Sequence, residues 1–436
     1  MLDLESAILH LEASVEATPG DHPNRAGRLD NLGRHLRGRY ERFGNVQDLE
    51  AAITRSEAAI EAATKDHSNR PEMFRSLGIL LYRRYERTGS LCDLEAAITE
   101  PGVVLEATPA GHPARALILT DLGEYFCSRY KQAKHVPDLV TSITYLEAGV
   151  GATPRDHPDQ AELLSNLGRH LSGLYERLGH LQDLEAAITQ LEAAVEVTPE
   201  DHPDRANRLH NLGGYLWARY KRLGNMQDLE AAIARLEAAG VATPEHHPGQ
   251  QKVLNNLGMC LRDRYERTEN LQDLEAAIAR SEDAVVAAGN SLSRVYALTN
   301  LGINLNTRYA RLGNLQDLEA AIARFESEVE ETPEGHPNPA LVLANLAASL
   351  DYRYERLGNM QDLETAITLL ETIVEATPED GYHPYRYRAE VLKQLGALLK
   401  GRYERTGNLK DLEAAIGRSE AAVEATPENH LLEQAI

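Results

Sequence analysis

The chain has 436 residues, a formal net charge of −22 and a sequence pI near 5.2. That acidity argues against a nucleic-acid backbone or an anionic membrane surface as the main partner. Three scattered cysteines, Cys92, Cys127 and Cys260, give neither a disulfide framework nor a C-x-x-C zinc set, so a reduced, cytoplasmic setting is the expectation.

The first predicted element, MLDLESAILHLE, is an acidic amphipathic helix without a basic n-region or an apolar h-region, and it does not read as a secretion signal. No later stretch reaches the roughly 20 apolar residues of a membrane span. Beyond this element the chain is one unit written repeatedly. The tyrosine of R-Y-E-R falls at Tyr40, Tyr85, Tyr130, Tyr175, Tyr220, Tyr265, Tyr309, Tyr354 and Tyr403, in six steps of 45 residues, one of 44 and one of 49. The aspartate of D-L-E keeps the same beat from Asp3 and Asp48 through Asp411. A fixed period in this range means a solenoid or array.

Within a unit, Ala26, Leu29, Gly33, Leu36 and Tyr40 step by three and four residues along one stripe of a helix, helix A. It is expected to start after D-H-P, with Pro23 suited to a first helical position, and to stop at Gly44-Asn45. Helix B then carries Leu49, Ala52, Ile53, Ser56, Ile60 and Ala63 on one stripe and ends in Thr-Pro in most copies. One such hairpin cannot bury both stripes; stacked neighbours can.

These residues resemble the tetratricopeptide repeat, with L-x-x-L-G-x-x-L on helix A, paired alanines such as Ala52 and Ala59 on helix B, and a closing proline. The unit departs from that family by about two extra turns carrying R-Y-E-R-x-G-N. Long units with R-Y-x-R, D-L-E-x-A-I and T-P-x-x-H-P are similar to arrays of filamentous fungi that accompany nucleotide-binding ATPase or caspase-like modules; no G-x-x-x-x-G-K-[ST] is present here. The resemblance implies an all-α, right-handed superhelical solenoid of antiparallel helical hairpins over residues 1–436. On this reading 1–19 is a half repeat, followed by nine full repeats near 20–64, 65–109, 110–154, 155–199, 200–244, 245–289, 290–333, 334–378 and 379–427, and 428–436 starts a further helix. The half-units act as caps or belong to a longer array, and an uncapped end would serve self-association.

Histidine recurs in the connecting loop (His22, His67, His112, His157, His202, His247, His336, His383). Successive copies lie on the order of 10 Å apart, too far for one metal, so His and the preceding Asp are expected to cap helix A; no metal and no cofactor are expected. Arg39 and Arg42, with their copies, face Asp48 and Glu50 across the turn and suggest an Arg–carboxylate lattice. The tyrosine fits an inter-repeat wedge.

Function is sought in the positions that are rewritten. The stripe of residues 30, 34 and 37 reads Asp30, Arg34, Arg37, then in later copies Arg75, Ile79, Tyr82; Thr120, Glu124, Cys127; Ser165, Arg169, Ser172; His210, Gly214, Trp217; Asn255, Met259, Arg262. Beside it lie His35, Tyr125, His170, Tyr215, Cys260, Asn304 and Tyr352. The corresponding face of helix A lines the concave groove in tetratricopeptide arrays, and a sole Trp among Tyr, Met, Cys and isolated charges is what binding surfaces carry. Drift on a wet helix would leave mostly Lys, Glu, Ser and Ala. Arg34, Arg37, Tyr82, Glu124, Tyr125, Cys127, Arg169, His210, Tyr215, Trp217, Met259, Arg262, Asn304 and Tyr352 are therefore the predicted groove residues. Helix A of the first unit holds six Arg against one Asp and one Glu, which points to a partner with acidic groups.

Four irregularities are expected to reshape this groove: Pro101-Gly102, which should break its helix B, Lys131 to Pro137, Ala287 to Tyr296, and Gly381 to Tyr387. The reading is a non-catalytic interaction module for a peptide or protein partner. One alternative is a small-molecule site or unconventional enzyme, with Tyr82, Tyr125, Tyr215 and Trp217 walling a closed pocket and Glu124 or His210 as acid–base groups; Glu124 and Arg169, however, hold equivalent places in adjacent copies and should pair. A second alternative is a self-assembling rod.

Overall fold

The computed structural model describes residues 2–244, 247–289, 293–331, 339–376 and 385–425. Among them lie nineteen helices, none of them long and apolar enough to cross a membrane. The chain divides into two compact units at Asn225/Met226. Unit 1 holds α1 (Leu2–Glu16), α2 (Arg25–Phe43), α3 (Val46–Ala62), α4 (Arg70–Thr88), α5 (Leu91–Ala107), α6 (Pro113–Ala133), α7 (Val136–Ala152), α8 (Gln160–Leu178), α9 (Leu181–Glu196) and α10 (Arg205–Leu223). Unit 2 holds α11 (Met226–Ala242), α12 (Gln250–Thr268), α13 (Leu271–Ala288), α14 (Arg294–Leu312), α15 (Leu315–Glu331), α16 (Pro339–Leu357), α17 (Met360–Ala376), α18 (Tyr385–Thr406) and α19 (Leu409–Glu424). Even-numbered helices are helix A and odd-numbered ones helix B. Each unit is an all-α array of antiparallel hairpins.

The turn between A and B is set by backbone chemistry. Gly44 adopts φ +70° and its N–H donates to the Tyr40 carbonyl at 2.7 Å, closing the helix in the left-handed conformation that glycine adopts freely. Asn45 then caps α3 by accepting from the Gln47 N–H. The K-Q-A-K-H-V-P segment keeps this geometry: Lys134 takes φ +56° and its N–H reaches the Tyr130 carbonyl at 2.7 Å. Glu269 does the same at φ +54°.

The core is the pair of stripes read from the sequence. Leu49, Ala52 and Ile53 on α3, and Leu29, Leu32 and Leu36 on α2, are buried, and so are most of their counterparts along each unit; Leu254, Leu343 and Leu412 are half-buried and Ile416 on α19 is exposed. The recurrent tyrosine is buried at Tyr85, Tyr220, Tyr265 and Tyr354. Glycine at position 33 is demanded by its neighbour: a Cβ there would lie 2.9 Å from Ser56 Oγ, and at Gly78 it would lie 2.6 Å from the Pro101 ring.

Three expectations need correction. Pro101 does not break its helix; α5 runs unbroken from Leu91 to Ala107 with Pro101 buried inside it. The ring occupies the space that Gly78 leaves open, so packing compensates for the lost N–H. Helix A mostly begins two residues after the H-P pair, at Arg25 for example, and only α6 starts on the proline, Pro113. Capping belongs to His and Arg rather than Asp. His112 is itself an N-cap, its Nδ1 accepting from the Ala114 N–H, while His22, His67, His157, His202 and His247 accept one residue earlier in the turn, from the N–H of the N-cap residue, Asn24 in the first case. The first arginine of helix A caps the helix behind it: Arg115 donates to the carbonyls of Leu105 and Thr108, and Arg25, Arg70 and Arg205 do likewise. His336, His383 and residues 428–436 lie outside the described residues.

Candidate functional site

The Arg–carboxylate lattice is present and spans neighbouring hairpins. Arg39 forks onto Asp48 at 2.9 and 2.6 Å within its own hairpin. Glu50 belongs to the next one, taken by Arg84 at 2.8 Å while Arg84 also holds Asp93. Arg129 repeats this between Glu95 and Asp138, and Arg308 between Glu275 and Asp317. Arg84, Arg129 and Arg308 thus tie their own turns to the preceding hairpin with charge-assisted bonds. That is a bracing role.

The rewritten positions split into two faces. Successive residues of a helix point about 100° apart, and position 35 turns into the seam against the preceding helix B. His170 Nδ1 bonds Ser142 Oγ of α7 at 2.8 Å, and Asn304 Nδ2 bonds Ser281 Oγ of α13 at 2.9 Å. Tyr125 is 3% exposed and Asn304 1%, so neither lines an open trough, contrary to the sequence expectation. Cys127 is 4% exposed and also leaves the groove, lying against His170. Tyr125 stacks on Tyr82 with ring centroids 4.7 Å apart; the walls expected to enclose a pocket are pressed together. Burial drives the Tyr125 phenol well above its ordinary value.

Position 34 stays accessible in every described copy, and position 37 in all of them except Cys127 and Ser172, which are buried. Arg34, Arg169 and Tyr352 are exposed, while Arg37, Tyr82, Glu124, His210, Tyr215, Trp217, Met259 and Arg262 are half-buried. Within unit 1 these side chains form rungs from one helix A to the next. Arg75 meets Asp121 at 2.6 Å, Tyr82 hydrogen-bonds Ser128 at 2.7 Å, and Arg169 reaches Glu124 at 3.1 Å, the pair anticipated from their equivalent places. In unit 2, Asn306 donates to Ser349 at 2.7 Å and Tyr309 faces Tyr352 at 6.1 Å.

Much of the cationic charge on this face is spent locally. Arg34 pairs with Asp30 at 3.3 Å, Arg37 with Glu41 at 3.6 Å and Arg262 with Glu266 at 3.7 Å. Burial would raise the Glu124 carboxyl, but His170 and Arg169 outweigh it and hold it below the usual carboxylate range. The opposite holds at Asp351 in unit 2. Burial and the neighbouring Glu355 push it up to about 6, and it has no ion-pair partner among the described residues.

A cleft of about 690 Å³ opens among α11, α12 and α13, floored by Val253, Leu254 and Leu257. None of the predicted groove residues lines it. It exists because Gly240 stands where Ile60, Val195 and Val285 stand in other copies, and Val241 beside it is 90% exposed. The periodic pattern alone does not reveal this displaced valine, nor Ser142, nor the Arg75–Asp121 rung. Each emerges only when the helix-B and helix-A columns of adjacent copies are aligned together.

A tetratricopeptide-repeat family model matches residues 252–287, nearly the whole α12–α13 hairpin. Among solved structures, PilF of Pseudomonas aeruginosa is 14% identical, with 61% of this chain and 93% of that one covered and a TM-score of 0.40. A Podosopora anserina protein with nearly identical TPR-like repeats is 19% identical, covering 50% and 98%, with a TM-score of 0.36. YrrB, a TPR protein with an unusual peptide-binding site, is 17% identical over 57% and 93%, with a TM-score of 0.34. No curated protein matches the chain. With the hairpin geometry, the repeated small residues and the matched unit together, the chain is a helical repeat protein built from tetratricopeptide-like hairpins.

Proposed function

We propose that the protein is an interaction scaffold whose helix-A face takes a peptide or a partner helix along positions 34 and 37. The observation that supports this is the split itself. Among rewritten helix-A positions, the column at 35 is mostly spent on seams, whereas column 34, and column 37 outside Cys127 and Ser172, stay open and touch between copies. Accessible, mixed side chains on successive hairpins of one unit suit a ligand longer than any one hairpin.

Partner choice on this reading comes from the aromatic positions Tyr82 and Trp217, with charge exchanged at the rungs. An acidic group on the partner has to displace Asp30 from Arg34 or Glu124 from Arg169. The net electrostatic gain is then the difference between two ion pairs and stays small at half-exposed sites. Unit 2, taken by itself, carries Asp351 and exposed Tyr352 on its helix-A face, which favour a cationic or amphipathic partner residue there.

The test is a peptide array probed with the whole chain and with Trp217→Ala and Arg169→Glu variants. Captured peptides should be lost by about tenfold or more for Trp217→Ala, in the range of interface hot spots, with the melting temperature nearly unchanged. Equal capture by both variants would remove the helix-A face from the reading.

A further inference from the structure

We propose that Cys127 is a site of oxidation by small peroxides, its thiol proton taken by Nε2 of His170 in a nook closed by Ser142 and Glu124. Glu124 and Cys127 are three residues apart on α6 and so share one side of that helix. Ser142 on α7 donates its only hydroxyl hydrogen to the Gly123 carbonyl at 2.7 Å, and so it can only accept from His170 Nδ1 at 2.8 Å. That bond fixes the tautomer. The neutral ring carries its hydrogen on Nδ1 and turns a bare Nε2 lone pair into the nook.

Nε2 has no hydrogen-bond partner, although His170 is only 2% exposed. An unpaired buried nitrogen is costly, and the same seam position is filled by Leu80 and Leu398 in other copies. Packing alone therefore does not call for a histidine. Proton transfer from Cys127 replaces the bare lone pair with a positive charge 3.6 Å from Glu124 Oε1, within ion-pair distance. Arg169 holds that carboxylate in place at 3.1 Å. Burial would raise the thiol and lower the imidazole, yet each group pulls the other across. Cys127 lies below the ordinary thiol value and His170 above the ordinary imidazole value, with Lys131 adding to the first effect and Glu124 to the second.

The reaction balances within this set. The thiolate sulfur attacks one peroxide oxygen, forming an S–O bond as the O–O bond breaks. The departing hydroxide takes the proton stored on His170 and leaves as water, with sulfur oxidised by two electrons to the sulfenic acid and the peroxide reduced. Thiolates, not thiols, carry this chemistry. Glu124, on the Cys127 side of α6, and its partner Arg169 are partly exposed, and the oxidant would approach from that side.

The experiment is hydrogen peroxide treatment of the whole chain with a 1,3-dicarbonyl trap, read by peptide mass spectrometry at Cys127 and at exposed Cys92. Cys127 should be oxidised about tenfold faster than Cys92 at pH 6.5, where an ordinary thiol is almost wholly protonated. His170→Leu, which installs the residue found at 80 and 398, should keep its helical circular dichroism and lower the Cys127 rate about tenfold. Glu124→Gln should lower it by less and serves as the second readout if the leucine variant fails to fold. Cys127 resisting peroxide while Cys92 reacts, or reacting equally fast in the folded variants, would overturn the proposal.

Discussion

Two glycines of unit 2 carry opposite information. Gly302 on α14 lies under Phe325: a Cβ there would come within 2.3 Å of the ring, and two more ring atoms would lie within 2.8 Å. Gly240 on α11 has only Val253 Cγ1, at 3.8 Å, in the same test. The first glycine is demanded by its neighbour. The second is a place where a side chain has been lost and a cleft of about 690 Å³ left behind. In a repeat array a residue type is therefore explained by the column facing it, and not by its own column alone.

The largest effect should come from Gly302→Ala. The methyl group meets an aromatic ring that is 0% exposed and has nowhere to move, and overpacking of this kind costs about 1–3 kcal/mol even after the gain in helix propensity. The chain contains its own rescue. Position 347 is already Ala, buried in its stack with Leu370. Gly302→Ala combined with Phe325→Leu should recover at least half of the lost stability, measured by hydrogen exchange of the α14 and α15 amides. A double variant no better than the single one would show that the glycine is kept for some other reason.

Gly240→Val tests the other side of the comparison and should stabilise. It restores the residue present at 195 and 285, adds helix propensity and buries apolar surface, for a gain of about 1–2 kcal/mol. Protection of α11 to α13 amides should rise. If it falls instead, the cleft is braced open by more than a missing side chain.

The open row differs from the seams in how charge is carried, and Asp351 measures that. Its folded-state value of about 6 lies above the 3.8 of a free aspartate, so the folded state binds the proton more tightly. Its favourable contribution is complete below about pH 4 and is lost as the pH climbs towards 6 and beyond. Asp351→Asn should therefore stabilise unit 2 at pH 7.5 and do nothing at pH 4. Screening by water at this half-exposed site limits the gain to about 1 kcal/mol. A gain of equal size at both pH values would make the effect steric.

How much of the fold and the site is legible in the sequence depends on which columns are copied. The period, the alternation of helices, the glycine turns and the arginine lattice are legible because each recurs with its partner, as Arg39 does with Asp48. Position 35 is not. Asn304 and His170 hydrogen-bond Ser281 and Ser142 across their seams, and in a single sequence a side chain turned into a seam looks the same as one that varies for a ligand. Pro101 misleads for a related reason: the cost of a proline inside a helix is visible in the sequence, while the space supplied by Gly78 on the facing helix is not.

The smallest effect distinguishes glycine demanded by packing from glycine demanded by backbone. Lys134 takes the left-handed conformation, at φ +56°, that Gly44, Gly89 and Gly179 hold at the same point of their turns. A side chain in that region costs about 1 kcal/mol, part of which is returned through a less flexible unfolded chain. Lys134→Gly should thus stabilise the α6–α7 hairpin by a few tenths of a kcal/mol, with the Tyr130 carbonyl still capped. The contact of Lys134 with the Tyr130 ring, 5.9 Å to its centroid, works against that gain. Lys134→Met keeps the left-handed strain and removes the charge. A loss of stability in the methionine variant alongside a gain in the glycine variant would assign both contributions, whereas a loss in both would mean that the cation outweighs the backbone.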